Sequence, residues 1–397
     1  MFKNSRLNVI RYAIVFLIAG QFGRELIMFN YGPSIVKHIS GFTSFQEEFL
    51  TAFSFALPLL LVYFGGILAD KYGRRLTWTV SLVFLGGSML WLRMDSSSGM
   101  LTTFGPALMV AILLSISSAF GRSPVAWLFD HEGRDGTKNA YGLYFVLFGL
   151  LSLAVWKGRF LVEALPEGYI NIMLSGLILV MGLWVITFPE NYGQRPSSLI
   201  EIAKSGVNQF TSSRVLQLIV LQSIFMAFSS FARAFLQLQY IAKEPISFAK
   251  LNTFLSAELV IVALCAGILL LLMKKIDYKK LIIYPMIFAV VFYAAIPFAP
   301  TMLFFILNSG ITFFLFLRAA GIIILANDSI SQNRAATLSL LVLFMSLVEF
   351  TSSYWQPLFY GLDPVVLSVV AGVCAAGSLG LLYLAVRIHD QKNTLVV

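Results

Sequence analysis

The chain has 397 residues, of which 58% are hydrophobic and only 12% are charged, and its mean hydropathy is +0.84. Soluble domains are about half apolar and about a quarter charged, so a water-soluble fold of this length could not hide so much apolar surface. The formal charge of +9 does not indicate nucleic-acid binding, because most of the basic residues lie in short loops between long apolar segments. The composition therefore predicts an integral membrane protein whose surroundings are the lipid bilayer.

Twelve apolar segments are long enough to cross a membrane, which takes about 20 residues of α-helix. They lack the alternation typical of strands, so an all-α protein is predicted. The segments are 8–34, 48–69, 76–94, 101–129, 140–162 and 169–188, followed by 215–241, 248–273, 281–298, 302–326, 335–358 and 364–388. A polar stretch rich in Gly, Pro and Ser separates the two sets. The sequence thus predicts an N-terminal six-helix bundle over 1–188, a cytoplasmic linker over 189–213 and a C-terminal six-helix bundle over 214–397.

The distribution of Lys and Arg predicts that both termini are cytoplasmic. In this orientation 18 basic residues lie on the cytoplasmic side and six on the outer side, as the positive-inside rule requires, and the number of crossings is even. The short loops are typical of a multi-pass protein of a bacterial cytoplasmic (inner) membrane. A shift of 196 residues places Arg122 on Arg318 and Lys138 on Arg334, which indicates an internal six-plus-six repeat.

The loop after the second segment carries the motif GGILADKYGRR over residues 65–75. Gly66 permits close helix approach, and Gly73 permits a tight turn. Asp70 is placed to accept hydrogen bonds from basic residues and to face the positive N-terminus of a neighbouring helix. This loop resembles the signature between the second and third helices of the major facilitator superfamily of secondary transporters.

The resemblance implies a monomer of twelve transmembrane helices in two pseudo-symmetric six-helix bundles. Helices one, four, seven and ten would line a central cavity that opens alternately to each side. A conformational latch between the bundles would consist of Gly66, Asp70, Gly73, Arg74, Arg75 and Asp130. Alternatively, these charges only set the topology. The corresponding loop of the second half, 274–280, keeps basic residues but lacks the Gly and the ordered Asp, so no latch is expected there.

Four arginines lie inside predicted spans, where each costs at least about 2.5 kcal/mol on insertion scales. They are Arg24, Arg122, Arg233 and Arg318, one in each of helices one, four, seven and ten. These are the helices that the resemblance places around the cavity. Guanidinium groups bind carboxylate and phosphate and stay charged at physiological pH, so the set predicts a binding site for an organic anion. The alternative is that the arginines pair with buried glutamates and only stabilise the fold.

Glu25, Glu258 and Glu349 lie in predicted spans and are candidate proton carriers. Burial disfavours an ionised carboxyl group, whereas a neighbouring arginine favours it. A substrate that competes for the arginine would therefore release the glutamate to take a proton. Static pairing of each glutamate with an arginine is the alternative.

The sequence accordingly predicts a secondary active transporter that is proton-coupled, by symport or antiport, and moves a carboxylate- or phosphate-bearing small molecule. Two alternatives stay open: an efflux carrier for amphipathic compounds such as drugs, siderophores or lipids, and a membrane sensor that keeps the fold without transport. The sequence contains no nucleotide-binding glycine loop, metal-ligand cluster or nucleophile–base pattern. No enzyme activity, catalytic residue, metal or cofactor is expected.

Overall fold

The structure, a computed structural model, describes residues 5–23, 43–98, 104–121, 123–157, 169–193, 198–243, 248–273, 277 and 279–394. Within these ranges every regular element is a helix, which confirms the predicted all-α class. The helices are α1 (Ser5–Val15), α2 (Ser44–Tyr72), α3 (Arg74–Ser98), α4 (Phe104–Ala119), α5 (Ser123–Lys157), α6 (Tyr169–Val185), α7 (Leu199–Ser212), α8 (Arg214–Lys243), α9 (Phe248–Leu272), α10 (Tyr284–Ala295), α11 (Thr301–Asp328), α12 (Arg334–Ser352) and α13 (Pro364–Thr394). Short π-helical or 3-10 turns extend α1, α10 and α12, and they are Phe16–Gly23, Lys279–Ile283, Ile296–Phe298 and Ser353–Phe359.

Five helical stretches within the described ranges are long and apolar enough to cross a membrane, judged by length and composition. They are Ala107–Ser152, Arg214–Ala242, Lys279–Phe298, Thr301–Asp328 and Pro364–Gln391. The first is not one continuous span, because Gly133 has φ 63° and ψ −158° and breaks α5 between the predicted fourth and fifth segments. These stretches indicate a multi-pass membrane protein, and the count of twelve spans stays a prediction.

Helix α7 lies in the segment that the sequence predicts to be a polar linker. A capping box fixes its start: the Ser198 hydroxyl accepts the Glu201 N–H (3.2 Å), and the Glu201 carboxylate accepts the Ser198 N–H (2.7 Å). Ile202 is buried in one cluster with Ile67 of α2 and Ala336 of α12. The amino-acid composition of this segment does not predict the helix, because only one narrow face of the helix is apolar.

The helices pack into two compact units. The first unit consists of Met1–Glu132, Lys157–Val207 and Ser331–Leu343, so it holds α1 to α4, α6, most of α7 and the beginnings of α5 and α12. The second unit consists of Gly133–Trp156, Asn208–Ile330 and Phe344–Val397, so it holds α8 to α11, α13 and the remainders of α5 and α12. The predicted division into N- and C-terminal bundles follows the two sequence halves rather than these packing contacts, and it stays a prediction.

An aromatic cluster forms the core of the first unit near the start of α3. The rings of Trp78, Trp127 and Phe188 lie with centroids 5.5–5.8 Å apart, and all three side chains are buried. The Trp127 indole N–H donates to the Pro189 carbonyl oxygen at 2.6 Å. Because the buried indole has its only donor satisfied there, the chain after α6 is held against the beginning of α5.

Hydroxyl groups join the helices of the second unit. Ser229 of α8 donates to the Ala371 carbonyl oxygen of α13 at 3.0 Å, and Ser368 of α13 donates to the Tyr293 carbonyl oxygen of α10 at 2.7 Å. Such bonds from small side chains are typical of helices that pack closely in a membrane. Helix α13 is thus fixed to both α8 and α10.

Candidate functional site

Asp70 ends α2 as a fully buried carboxylate, and the structure explains why the charge is tolerated. Arg74, which is 1% exposed, donates to Asp70 Oδ1 from Nε (3.1 Å) and from Nη2 (2.7 Å). The third Arg74 nitrogen, Nη1, donates to the Ala126 carbonyl oxygen at 3.3 Å. The pair is thus both charge-matched and hydrogen-bonded, which is the condition for keeping ions away from water.

The same carboxylate binds the first turn of α12. Asp70 accepts the backbone N–H groups of Ala335 (3.3 Å) and Ala336 (2.8 Å), at the start of a helix that begins at Arg334. The first N–H groups of a helix have no partner within it and carry the positive end of the helix dipole. The structure therefore places Asp70 against a neighbouring helix N-terminus, which is the geometry that the sequence predicted for this residue.

Asp130 connects the two arginines of this region. Its carboxylate forms ion pairs with Arg74 and with Arg334, and the Arg334 guanidinium also lies 4.8 Å from the centre of the Phe129 ring. Two buried or partly buried cations therefore share Asp130, while Asp70 neutralises Arg74 from the other side. We call Asp70, Arg74, Asp130, Arg334 and the first turn of α12 the ionic cluster of the first unit.

The two motif glycines lie where a side chain would not fit. A Cβ on Gly66 would come within 2.5 Å of Ser339 Oγ and 2.6 Å of the Ala335 carbonyl oxygen, so α2 and α12 approach closely at this point. Gly73 has φ +115°, a conformation that favours glycine, and a Cβ there would meet the Glu190 carboxyl group at 2.6 Å. Both glycines position the ionic cluster.

Glu190, which was not predicted as a site residue, lies just after α6. Its carboxylate accepts the Arg75 N–H at 2.8 Å and the Leu76 N–H at 3.3 Å, so it caps the start of α3. Arg75 Nε lies 3.3 Å from the same carboxylate, and its Nη1 donates to the Phe188 carbonyl oxygen at 2.9 Å. Among the described residues, the structure thus pairs Arg75 with Glu190 and not with Asp70. The Pro189-Glu190 pair at the end of an apolar segment was the available signal.

A second ionic cluster, also missed, lies in the second unit. Asp328 at the end of α11 accepts from Arg134 with both oxygens, the bond from Nε measuring 2.7 Å. His389 Nε2 of α13 lies 2.6 Å from the same carboxylate, and the imidazole is 4% exposed. The basic loop 274–280 lacks the signature, yet Asp328 at the end of the predicted tenth segment pairs here with Arg134, just before the predicted fifth segment.

Two titratable groups lie at the break in α5, outside the predicted spans. Burial lowers the pKa of the His131 imidazole, and the charge of Arg74 lowers it further. Burial raises the pKa of the Glu132 carboxyl group, and the hydrogen bond that Asn8 donates to it at 2.9 Å partly opposes this shift. Both groups are thus biased towards their neutral forms beside the ionic cluster of the first unit.

Only part of the predicted anion and proton site lies within the described residues. Arg24, Glu25 and Arg122 lie outside them, and for Glu349 the structure describes the backbone of α12 alone. Arg233 of α8 and Arg318 of α11 are described, as is Glu258 of α9. All three belong to the second unit.

Arg233 is held by neutral groups. Its Nε donates to Asn308 Oδ1 at 2.7 Å, and its Nη2 donates to the Asn308 carbonyl oxygen at 3.1 Å and to the Thr312 hydroxyl. Glu258 lies near enough to feel the charge of Arg233, and its Oε2 is buried without a hydrogen-bond partner in the described part of the chain. The two groups lie in one polar neighbourhood without forming an ion pair within the described ranges.

Arg318 is held by an amide. Its Nη1 donates to Gln222 Oε1 of α8 at 3.1 Å, and Ser378 of α13 donates to the same oxygen at 2.9 Å. The Arg318 Nε is buried and has no hydrogen-bond partner among the residues described. The described carboxylates form no ion pair with this guanidinium. In the same parts of the chain, no group of three or more His, Cys, Asp and Glu residues is arranged to hold a metal ion.

No family model matches the sequence, and no curated protein matches it either. Among solved structures, the chain is similar to the major facilitator superfamily transporter FucP in the outward conformation, with a TM-score of 0.69, 10% identity and coverage of 96% of this chain and 97% of that chain. It is also similar to the proton:xylose symporter XylE of the same superfamily bound to 6-bromo-6-deoxy-D-glucose, with a TM-score of 0.62, 13% identity and coverage of 96% and 94%. At these identities the likeness concerns the fold. The chain therefore has the fold of major facilitator superfamily transporters.

Proposed function

We propose that the protein is a secondary active transporter that moves a carboxylate- or phosphate-bearing organic anion, coupled to protons, by alternating access. The fold supports the transport class, because proteins with this fold include the two transporters described above. The anionic substrate is supported by Arg233 and Arg318. This choice depends on the partners of those two guanidinium groups rather than on the fold.

The observation that carries the anionic substrate is that Arg233 and Arg318, the two of the four predicted arginines that are described, have only neutral hydrogen-bond partners among the described residues. An arginine inside a membrane is costly, and a paired carboxylate is the usual compensation. Arg233 has an amide and a hydroxyl as partners, and Arg318 has an amide. Each guanidinium thus keeps its full positive charge and has donors left over. A carboxylate or phosphate would complete this hydrogen bonding and neutralise the charge.

The two arginines lie at different depths. Arg233 is 19 residues after the start of α8 and so about 28 Å along that helix, whereas Arg318 precedes the end of α11 by ten residues, or about 15 Å. With cytoplasmic termini, Arg233 falls in the outer half and Arg318 in the inner half of the membrane. An anion that moved between the outer and the inner half of the membrane would leave the guanidinium group of one arginine and bind that of the other.

Glu258 is the described residue best placed for proton coupling. It has one oxygen buried without a hydrogen-bond partner among the described residues, and it lies within electrostatic reach of Arg233. The positive charge of Arg233 stabilises the ionised form of Glu258. When an anion binds Arg233, it neutralises part of that charge, which favours proton uptake by the Glu258 carboxylate. Glu25 and Glu349 stay candidates from the sequence.

The ionic cluster of the first unit supplies the conformational latch in this proposal. Asp70 binds the first turn of α12, so α2 and the beginning of α12 cannot separate without breaking these bonds. Gly66 sits within the same close contact. Breaking this contact exposes a carboxylate and helix N–H groups that water then solvates, which makes the latch reversible.

Thermal stabilisation of the purified protein by solutes tests the substrate class. Dicarboxylates and sugar phosphates are compared with neutral sugars and cationic drugs, in the wild type and in Arg233→Gln, with Arg214→Gln at the start of the same helix as the control. We expect anions to stabilise the wild type and Arg214→Gln, and Arg233→Gln to bind them about tenfold to a hundredfold more weakly. Stabilisation by cationic drugs alone would favour the efflux alternative, and none by any solute would favour the sensor.

A neutral sugar is the second candidate substrate, because one similar fold is that of a proton:xylose symporter and because amides surround both arginines. Amide groups bind sugar hydroxyls as donors and acceptors. Uptake of xylose into proteoliposomes with an imposed proton gradient distinguishes the two candidates. Uptake of xylose that survives Arg233→Gln would contradict the anionic proposal and leave the transport class intact.

A further inference from the structure

The second unit has a groove between the beginning of α10 and the end of α13, and none of the residues of the proposed transport site lines it. Its cavity of about 450 Å³ is lined by Lys279, Tyr284, Tyr383, Arg387 and Asp390, among others. The two helices run in opposite chain directions, so the beginning of α10 lies beside the end of α13. By the Lys and Arg distribution, this end is the cytoplasmic one.

The helix surfaces that lead into this groove are apolar and exposed. On α10 the exposed residues Ile287, Phe288 and Val291 follow Tyr284 at helical spacing, with exposures of 43–55%. On α13 Val369 and Val373 are 54% and 64% exposed and precede Tyr383 on the same face. Exposed aliphatic and aromatic stripes of this kind contact lipid chains in a membrane protein. The groove therefore lies at the lower edge of a lipid-facing surface.

Along this surface the exposed side chains change from apolar to aromatic to basic. The apolar stripes end at Tyr284 and Tyr383, which are 51% and 49% exposed, and tyrosine is enriched where acyl chains meet headgroups. Beyond them Lys279 and Arg387 are exposed, and neither forms an ion pair with any residue that the structure describes. With Asp390 the three charged lining residues sum to +1. This sequence of apolar, aromatic and basic groups matches that of an anionic phospholipid, from chain to headgroup.

We propose that this groove binds the headgroup of an anionic phospholipid of the cytoplasmic leaflet, with its phosphate between Lys279 and Arg387 and its chains along α10 and α13. A guanidinium and an ammonium on opposite helices bind the phosphate from two sides. Basic pockets between membrane helices on the cytoplasmic side are the sites where anionic headgroups bind. The bound lipid would join α10 to α13 across the groove.

Native mass spectrometry of the purified full-length protein titrated with phosphatidylglycerol measures this site. The double variant Lys279→Gln/Arg387→Gln is compared with the wild type and with Arg6→Gln/Lys204→Gln, which removes two exposed cytoplasmic charges of the first unit that do not line the groove. We expect the groove variant to bind phosphatidylglycerol about 25-fold more weakly, at about fivefold per basic residue, and the control to change by less than twofold. The charge-conserving Lys279→Arg variant should bind as the wild type does, which separates the loss of charge from misfolding.

Three results would overturn the proposal. Unchanged affinity in the groove variant would mean that the lipid does not bind here. An equal loss in the control variant would mean that phosphatidylglycerol responds to total charge alone. Displacement of the lipid by soluble glycerol phosphate at millimolar concentration would mean that the groove binds a free phosphate, because the acyl chains then add nothing.

Discussion

The substitution Asp70→Asn removes one negative charge from a buried site and leaves the size of the side chain unchanged. Asp70 accepts four hydrogen bonds, two from Arg74 and one from each of the Ala335 and Ala336 N–H groups. An asparagine oxygen can keep the bonds on one side. With that oxygen in the place of Oδ1, the NH₂ group would face the Ala336 N–H, which donates to Oδ2, so the first turn of α12 loses a partner.

The free energy that Asp70→Asn is expected to cost depends on which ion-pair partners Arg74 keeps. Removing one member of a buried ion pair costs about 3–5 kcal/mol when the remaining charge is left alone. Arg74 keeps the carboxylate of Asp130, so we expect the lower end of that range, about 3 kcal/mol. At about 1.4 kcal/mol per factor of ten, this corresponds to about a 100-fold shift in the opening of the contact between α2 and α12.

Hydrogen–deuterium exchange followed by mass spectrometry measures that opening directly, because the two N–H groups donate to Asp70 itself. Peptides that cover the start of α12 should exchange about 100-fold faster in Asp70→Asn than in the wild type. Asp363→Asn is the matched control, since Asp363 is an exposed aspartate that accepts one N–H, that of Val365 at 2.8 Å, at the start of α13. It should speed local exchange only about fivefold.

Unchanged exchange at the start of α12 in Asp70→Asn would refute the reasoning, because the carboxylate would then not hold that turn. Faster exchange throughout the first unit would refute it differently, since the substitution would have loosened the whole unit rather than one contact. A loss in Asp363→Asn as large as in Asp70→Asn would show that burial and the Arg74 pair add nothing.

Three further substitutions test the surroundings of this contact by thermal unfolding. Gly66→Ala should lower the unfolding temperature through overpacking worth about 1–3 kcal/mol, since its Cβ would meet two oxygens of α12 at 2.5 and 2.6 Å, whereas Gly87→Ala, where a Cβ meets nothing within 4 Å, should not. Glu190→Ala should cost about 1–2 kcal/mol because α3 loses its cap, and an unchanged unfolding temperature would contradict that role. Burial raises the pKa of the Glu132 carboxyl group in the folded protein, so folding favours its neutral form. The stability that this gives is complete at acid pH and is lost as the pH rises through the raised pKa. Glu132→Gln should therefore unfold at a higher temperature than the wild type at alkaline pH, and the difference should vanish at acid pH.

The helical class and the position of the motif were predictable from the sequence because both depend on local information. Apolar runs of membrane length leave the backbone no alternative to helix, since every N–H and C=O must be satisfied internally. Asp70 and Gly66 were identified because they lie in one contiguous motif. The contact of Asp70 with α12 agrees with the predicted approach to a helix N-terminus, although the sequence did not identify which helix.

Partners that are distant in the chain were not predictable in the same way. Arg75 was assigned to the latch because it lies in the motif, and the structure pairs it with Glu190, 115 residues later, which the sequence did not indicate as a partner. Choosing between two carboxylates requires knowing how the chain after α6 returns to α3, where the Arg74 N–H donates to the Asn191 carbonyl oxygen at 3.1 Å. Helix α7 was missed because its stability comes from burial against distant residues rather than from its own composition.

In both ionic clusters, an aspartate from one half of the sequence pairs with an arginine from the other half. Asp130 ends the predicted fourth segment and pairs with Arg334, at the start of the eleventh, while Asp328 ends the tenth segment and pairs with Arg134, at the start of the fifth. Each sequence half thus contributes one acid and one base, and each acid binds the base of the other half. The two pairs are not equivalent under the shift of 196 residues, which places Asp130 on Ala326 and Arg134 on Ile330, so they share their location at segment ends rather than exact repeat positions. Within each unit, separating the parts that come from the two sequence halves would break that unit's own acid–base pair.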